Sequence, residues 1–240
     1  MKVLAVDIGG TKIKALATGQ TEPRKAVSGR GLTPARMVEI VRELADGWEY
    51  EALSLGYPGL VGPGGPRSEP GNLGPGWVGF DYAAAFDHPV KIINDAAMQA
   101  LGSYEGGRML FLGFGTGLGS ALIAENVIIP LELGRLPYRR RYSFGEVLGR
   151  QGLKRVGKSA WKKIVAEVAS TLMAAFQADY VVLGGGNAKL LKDKPPPGSR
   201  MGHNLTAFRG GFRLWGLEGV PVLGADHLDQ AAPAAEWRLI

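Results

Sequence analysis

The 240-residue chain is 45% hydrophobic, enough to bury a sizeable core in one domain or two small lobes, which excludes a disordered or fibrous chain. It contains no cysteine, so disulfide frameworks, thiolate zinc sites and thiol catalysis are excluded; its three histidines, His88, His203 and His227, are too scattered for a His-rich metal site. Lys and Arg outnumber Asp and Glu by 28 to 22, a net charge of +6 that favours anionic partners without choosing among nucleotides, polyphosphate and nucleic acid.

The opening MKVLAVDIGG reads as a core strand rather than a signal peptide, because its apolar run is short and Asp7 interrupts it. No segment reaches the roughly 18 apolar residues of a membrane span, so the expectation is a soluble, cytoplasmic protein. The strand ends in DIGGTK. Gly9 and Gly10 let backbone N–H groups approach a ligand, and Thr11 and Lys12 add donors, so this turn favours an anion. Asp7 then needs a cation. A phosphate carrying Mg2+ meets both demands, although a plain structural turn would read the same way.

RMVEIVRELAD (36 to 46) spaces Val38, Val41 and Leu44 as one helix face, ALSLGYPGLV (52 to 61) is a strand running into a loop, and VKIIND (90 to 95) is a second buried strand, which together make a βαβ pattern. Residues 58 to 77 are too rich in Pro and Gly for regular structure and read as a long functional loop. MLFLGFGTGLGSAL (109 to 122) then repeats the design of VLAVDIGGTKIKAL (3 to 16): four apolar residues, a Gly/Thr turn and a segment ending Ala-Leu. Each copy reads as a β-hairpin, because the residues after the turn favour strand. That argues against a dinucleotide fold, where GxGxxG must open a helix, and against a P-loop, which needs GK[ST]. Two like hairpins suggest two related lobes facing one another across a cleft.

From Arg135 to Lys163 the chain carries Arg139, Arg140, Arg141, Arg150, Lys154, Arg155, Lys158, Lys162 and Lys163, with Glu146 the only acid; this is either a solvated basic face or a track for an extended anion. Residues 158 to 176 place Trp161, Val165, Val168, Leu172 and Phe176 along one side of a helix, leaving the lysines on the other. YVVLGGGNAK (180 to 189) is again a strand ending in glycines, KPPPGS (194 to 199) is a break, and the tail beyond about Gly216 shows little periodicity.

With DIGGTK, GYPG, NDAAMQALG, GTGLGSAL, ELG and GGGN in this order over residues 1 to 212, the sequence resembles the ROK sugar kinases. Within them it is most similar to the polyphosphate-glucokinase branch, because the cysteine-rich zinc motif is absent and GLKRVGKSAW resembles that branch's basic segment. The resemblance implies an actin-like, RNase-H-like, two-lobed α/β fold with duplicated hairpin phosphate loops. Its lobes would span 1–95 and 96–216, the last helix packing back on the first lobe, with 217–240 a tail of unknown role. It implies a hexokinase- or glucokinase-type phosphotransferase using ATP or inorganic polyphosphate with Mg2+. It implies a homodimer with no membrane or nucleic-acid partner, since a ROK repressor would need a helix-turn-helix ahead of the strand that begins at Val3.

By the same resemblance Asp95 is the catalytic base, with an N-cap role as the alternative, and Asn94 is a sugar ligand. Asp7 (with Mg2+, directly or through water), Gly9, Gly10, Thr11 and Lys12 would face the donor's phosphoryl groups, with Gly115, Thr116 and Gly117 opposite. Asn72 and Trp77 look like the sugar-side loop, and Gly184, Gly185, Gly186 and Asn187 like the loop near the nucleotide base. Glu132 matches the Glu of the family's E-x-G-H, but Arg135 stands where the family has His. It can donate to a hydroxyl, pair with Glu132, or mark an anionic acceptor. Glu146 sits near the family's second sugar-binding Glu. The competing reading is a sugar-binding or regulatory protein without turnover.

Overall fold

The computed structural model describes residues 1–203, 205–217 and 237–239; the expected tail role of 217–240, and His227 within it, thus lie almost wholly outside the described residues. The chain forms two compact units. The first comprises Met1–Gly102 and the described residues of Ala207–Trp237, the second Ser103–Thr206 and the described residues at the C-terminus.

In the first unit β1 (Val3–Ile8) is buried at all six positions, as befits a central strand whose near-continuous apolar run faces cover on both sides. It turns into antiparallel β2 (Lys12–Ala17), which pairs with β3 (Arg24–Val27). Helix α1 (Pro34–Leu44) starts where Thr33 accepts a hydrogen bond from the Arg36 N–H and Pro34 supplies a pre-set φ; it buries Met37, Val38, Ile40 and Val41. It is the crossover to β4 (Ala52–Tyr57), parallel to β1. The Pro/Gly-rich segment contains one minimal hairpin, β5 (Val61–Gly62) with β6 (Gly65–Pro66), so the expectation of no regular structure there needs that correction. Positive φ at Gly65 closes its turn. After the short helix α2 (Tyr82–Phe86), β7 (Val90–Asn94) pairs parallel to β4 and runs directly into α3 (Asp95–Ser103). The sheet order β3-β2-β1-β4-β7 makes β7 an edge, where only Ile93 is buried. Its apolar side chains were read as a buried strand, but position in the sheet, not composition, sets burial.

The second unit repeats this plan. Strands β8 (Met109–Phe114) and β9 (Leu118–Ala124) form the second hairpin, starting at the same sequence offset from β1 and β2. Glu125 and Asn126, both with positive φ, then turn the chain into β10 (Val127–Leu131). A small ribbon of β11 (Pro137–Tyr138) and β12 (Tyr142–Ser143) precedes α4 (Phe144–Leu148) and α5 (Arg150–Ala175). The long helix begins eight residues before the expected Lys158 and is broken at Gly157, whose φ of 76° and ψ of 164° are not helical. Trp161, Val165, Val168, Ala169 and Leu172 form its buried side, and Trp161 packs edge-on against Phe114 with ring centres 5.5 Å apart. Strands β13 (Tyr180–Gly184) and β14 (Ser199–Met201) extend the sheet in parallel from β8, and β15 (Arg238–Leu239) pairs with β10. The order β10-β9-β8-β13-β14 matches β3-β2-β1-β4-β7 strand for strand, in direction as well as neighbour, so the duplication extends from the hairpin to a five-stranded sheet.

The chain then returns to the first unit through α6 (Thr206–Arg213). Two glycines let this helix lie directly on the sheet and on α3: a Cβ at Gly211 would stand 2.7 Å from that of Ala5, and one at Gly210 would overlap the Met98 carbonyl. Ser54 donates to the Gly211 carbonyl at 2.6 Å and accepts from the Trp215 indole at 3.0 Å, while Arg213 donates to the Leu101 carbonyl at 2.7 Å. No helix of the described residues is long and apolar enough to cross a membrane.

Candidate active site

In the first unit the turn of residues 9 to 11 closes with the Gly9 N–H donating to the Lys12 carbonyl at 3.0 Å. Ser28, just past β3, grips it from the side: its hydroxyl donates to the Gly9 carbonyl at 2.7 Å and its N–H to that of Thr11 at 3.1 Å. The Asn72 side chain lies so close over Gly10 that a Cβ there would overlap its amide and oblige it to move. Thr11 and Lys12 are exposed at the tip. Asp7 is only 8% exposed. The hairpin register sets it opposite Lys14, whose ammonium lies 3.1 Å from Oδ2. Lys14 is therefore the cation that the buried carboxylate demands in the chain itself, and Oδ1 accepts no hydrogen bond from the described residues.

At the end of β7, Asn94 and Asp95 are half-buried. Asn94 caps α3, its Oδ1 accepting from the N–H groups of Ala96 at 3.0 Å and Ala97 at 3.1 Å, while its Nδ2 donates to the Gly59 carbonyl at 3.1 Å. The capping role weighed for Asp95 thus falls mainly to Asn94. Asp95 opens the helix, with Oδ1 accepting from the Ala96 N–H at 2.8 Å, which fixes the carboxylate's direction. The link to Gly59 ties the GYPG loop to this corner. Trp77 is wholly buried against Tyr57, its indole donating to the Gly74 carbonyl at 2.7 Å, and anchors the loop rather than presenting a surface.

In the second unit the turn of Gly115, Thr116 and Gly117 is held from behind by backbone. The Arg150 N–H donates to the carbonyls of Gly115 at 3.0 Å and Thr116 at 3.3 Å, which seats the first turn of α5 against it. A Cβ on Gly149 would overlap the Thr116 carbonyl. The GGGN turn is zipped to the same place: the Asn187 N–H donates to the Phe114 carbonyl at 3.0 Å and its Nδ2 to that of Gly115 at 3.3 Å. Gly185 has φ of 80° and would bring a Cβ to 2.6 Å from the Phe114 carbonyl oxygen, so only glycine fits. Gly184 lies against the Phe111 ring, and Gly186 faces open space. Because β8 and β13 are parallel neighbours, their two Gly-rich turns meet at one end of one sheet.

Glu132 immediately precedes the 3-10 turn Leu133–Arg135 without a side-chain cap to it, and Arg135 Nε lies 3.2 Å from its Oε2 in an exposed pair. Arg135 thus pairs with Glu132 in the chain itself. Glu146 is committed to a capping box on α4: its Oε2 accepts from the Ser143 N–H at 2.7 Å, which holds its carboxyl below the ordinary range, and its own N–H donates to Ser143 Oγ at 3.2 Å. Along the basic run, Arg139 pairs with Glu167 at 3.1 Å and Arg155 stacks 4.0 Å over the Tyr142 ring, whereas Lys154, Lys158 and Lys163 are exposed. Among the described residues no group of three or more His, Cys, Asp or Glu converges as a metal cage.

The fold has counterparts among solved structures. An inorganic polyphosphate/ATP-glucomannokinase from Arthrobacter sp. strain KM superposes with a TM-score of 0.74 at 22% identity, covering 87% of this chain and 96% of its own. A ROK family glucokinase from Streptomyces griseus, in complex with glucose and AMPPNP, gives 0.68 at 16% identity, covering 88% and 97%. The chain has the ROK sugar-kinase fold. In sequence, the polyphosphate glucokinase of Mycobacterium tuberculosis is 29% identical over 211 aligned residues, which cover 75% of this chain and 76% of the relative. No family model matches the chain.

Within this ROK fold, sequence reasoning passed over Lys14, Ser28 and Gly149. Lys14 was legible: a two-residue offset from Lys12 along β2 puts it opposite Asp7 once the hairpin closes at Ile8 and Ile13. Ser28 and Gly149 were not, because each reaches its turn through tertiary packing that no local pattern announces.

Proposed function

We propose that the chain is a sugar kinase, of glucokinase type, that moves a phosphoryl group from inorganic polyphosphate or ATP to a hexose hydroxyl. The observation that carries the reading is the β7–α3 corner: Asn94 caps the helix, and the neighbouring Asp95 carboxylate is oriented at its first residue, half-buried. A carboxylate so placed takes the proton of the sugar hydroxyl as that oxygen forms its bond to phosphorus and the bond to the leaving phosphate breaks. Asn72 and Asn94 line the sugar side, with Asn94 using one amide group for the helix. Glu132 and Arg135 act as a pair, Arg135 donating outward from it. Glu146 has its carboxylate in the capping box and contributes through remaining lone pairs at most to an outer contact.

The donor's phosphates meet the backbone N–H groups and side chains of Gly9, Gly10, Thr11 and Lys12 in the first unit and of Gly115, Thr116 and Gly117 in the second. For ATP, Gly184, Gly185, Gly186 and Asn187 form the base side. For polyphosphate, exposed Lys154, Arg155 and Lys158 continue the positive charge from the turn that Arg150 closes. Mg2+ fits at Asp7, since a single buried carboxylate with one open oxygen suits a cation that otherwise takes phosphate oxygens and water. Asp7 would hold such a cation where its charge would offset that of the donor phosphates.

The Glu132–Arg135 ion pair favours a second reading, a sugar-binding protein without turnover. A coupled assay over a sugar panel, with ATP and polyphosphate as donors, separates the two. Phosphorylation of glucose or another neutral hexose supports the kinase; binding without turnover leaves the second reading standing.

A further inference from the structure

Asp7 is a nearly buried carboxylate at the base of the first turn, and its ammonium partner comes from its own hairpin. Lys14 is 38% exposed at its side chain whereas Asp7 is 12% exposed at its own, so the ammonium sits over the carboxylate towards solvent. A divalent cation approaching Asp7 must enter beside a positive charge already in place. It displaces that charge or shares the carboxylate with it, and either costs binding energy. Phosphates change the balance, because an anion at the exposed tip gives the displaced ammonium a new partner.

We propose that Lys14 is a built-in counter-ion that holds metal off Asp7 until the phosphoryl donor arrives, which makes it a positioning residue for both the metal and the donor. This rests on the kinase reading for the identity of the donor, but the charge competition itself does not. Lys14 then has two effects of opposite sign: it weakens metal binding to the free protein and strengthens binding of the phosphate that replaces Asp7 as its partner.

The test uses Mn2+ as the probe, titrated by electron paramagnetic resonance against the full chain with neither sugar nor donor. Lys14→Gln keeps a hydrogen-bond donor near Asp7 and removes the charge; Lys14→Arg keeps the charge. The proposal expects Lys14→Gln to bind Mn2+ about five-fold more tightly than the parent, a size typical of removing a half-exposed charge interaction. Lys14→Arg should bind like the parent, and Asp7→Asn should abolish the gain in the Lys14→Gln background. In donor titrations Lys14→Gln should weaken tripolyphosphate binding. Equal Mn2+ affinity in parent and Lys14→Gln, weaker affinity in Lys14→Gln, or no binding by either would overturn it. Thermal unfolding of each variant identifies misfolding, in which case Lys14→Met replaces Lys14→Gln. Tighter Mn2+ binding in a protein that phosphorylates no sugar would sink the kinase reading and leave this one; turnover with unchanged Mn2+ affinity would do the reverse.

Discussion

The two Gly-rich hairpin turns come from the same sequence design and occupy equivalent places in equivalent sheets, yet they are held in different ways. The turn at Gly9 and Gly10 is fixed mainly by side chains, the Ser28 hydroxyl, the Asn72 amide and the nearby Asp7–Lys14 pair, with the Ser28 N–H adding one backbone bond to Thr11. The turn at Gly115 to Gly117 is fixed mainly by backbone: the Arg150 N–H and the closeness of Gly149 and Gly185, with the Asn187 side-chain amide adding one bond to the Gly115 carbonyl. The first turn carries its own charged pair, Asp7 with Lys14. The second presents a rigid frame of amides whose charge comes from residues further along α5. The same strand plan thus carries one turn held mainly by side chains and one held mainly by backbone.

The comparison breaks first if the second turn proves adaptable. Gly185→Ala forces a left-handed residue against the Phe114 backbone and should cost about 3 kcal/mol, read from the midpoint of urea unfolding. A loss within a few tenths would mean that the frame yields. Next in size, reversing Lys154, Arg155 and Lys158 to Glu should weaken polyphosphate use about tenfold at low salt and ATP use by less than about twofold. The loss should shrink as salt rises; equal losses with both donors would return these residues to a solvated face.

Smaller effects sharpen the contrast. Ser143→Ala removes a helix cap beside the second unit's Glu132 region and should lower stability by about 1 kcal/mol. The Glu146 carboxyl in that box titrates below its ordinary range, so the box stabilises at neutral pH and the benefit is lost as pH falls through the lowered value. The stability difference between parent and Glu146→Gln, followed by thermal unfolding, should therefore narrow below about pH 4. Smallest of all, Gly10→Ala meets only a flexible amide and should cost under about 1 kcal/mol, most of it recovered in combination with Asn72→Ala. An unrecoverable loss would show the first turn to be as rigid as the second.

Both hairpins were legible because apolar run, Gly/Thr turn and strand-favouring exit all lie within about a dozen residues; their repetition suggested two related lobes, and the fold itself came from the family resemblance that the ordered motifs carry. Strand β10 was not read, because its turn residues Glu125 and Asn126, both of positive φ in the structure, are not the Asn-Gly pair that advertises such a turn. The matching of whole sheets was not legible, since β3 and β14 are short and polar, and parallel pairing links residues far apart in the chain. At the site, Asp7, Asn94 and Asp95 stood out as polar groups at strand ends. What they touch did not: Asn94 takes the cap that was weighed for Asp95, and Glu146 turns its carboxylate to Ser143. A capping box has the pattern S-x-x-E, and SFGE carries it.

The most direct test is phosphoryl transfer to glucose by Asp95→Asn beside the parent, with glucose affinity measured on both by calorimetry. The amide is isosteric and keeps its acceptor oxygen for the Ala96 N–H, but it cannot take the sugar's proton. The account predicts unchanged glucose affinity and a rate lower by about 10²–10⁴-fold with either donor. Turnover within a few-fold of the parent would contradict it and remove Asp95 from the reaction.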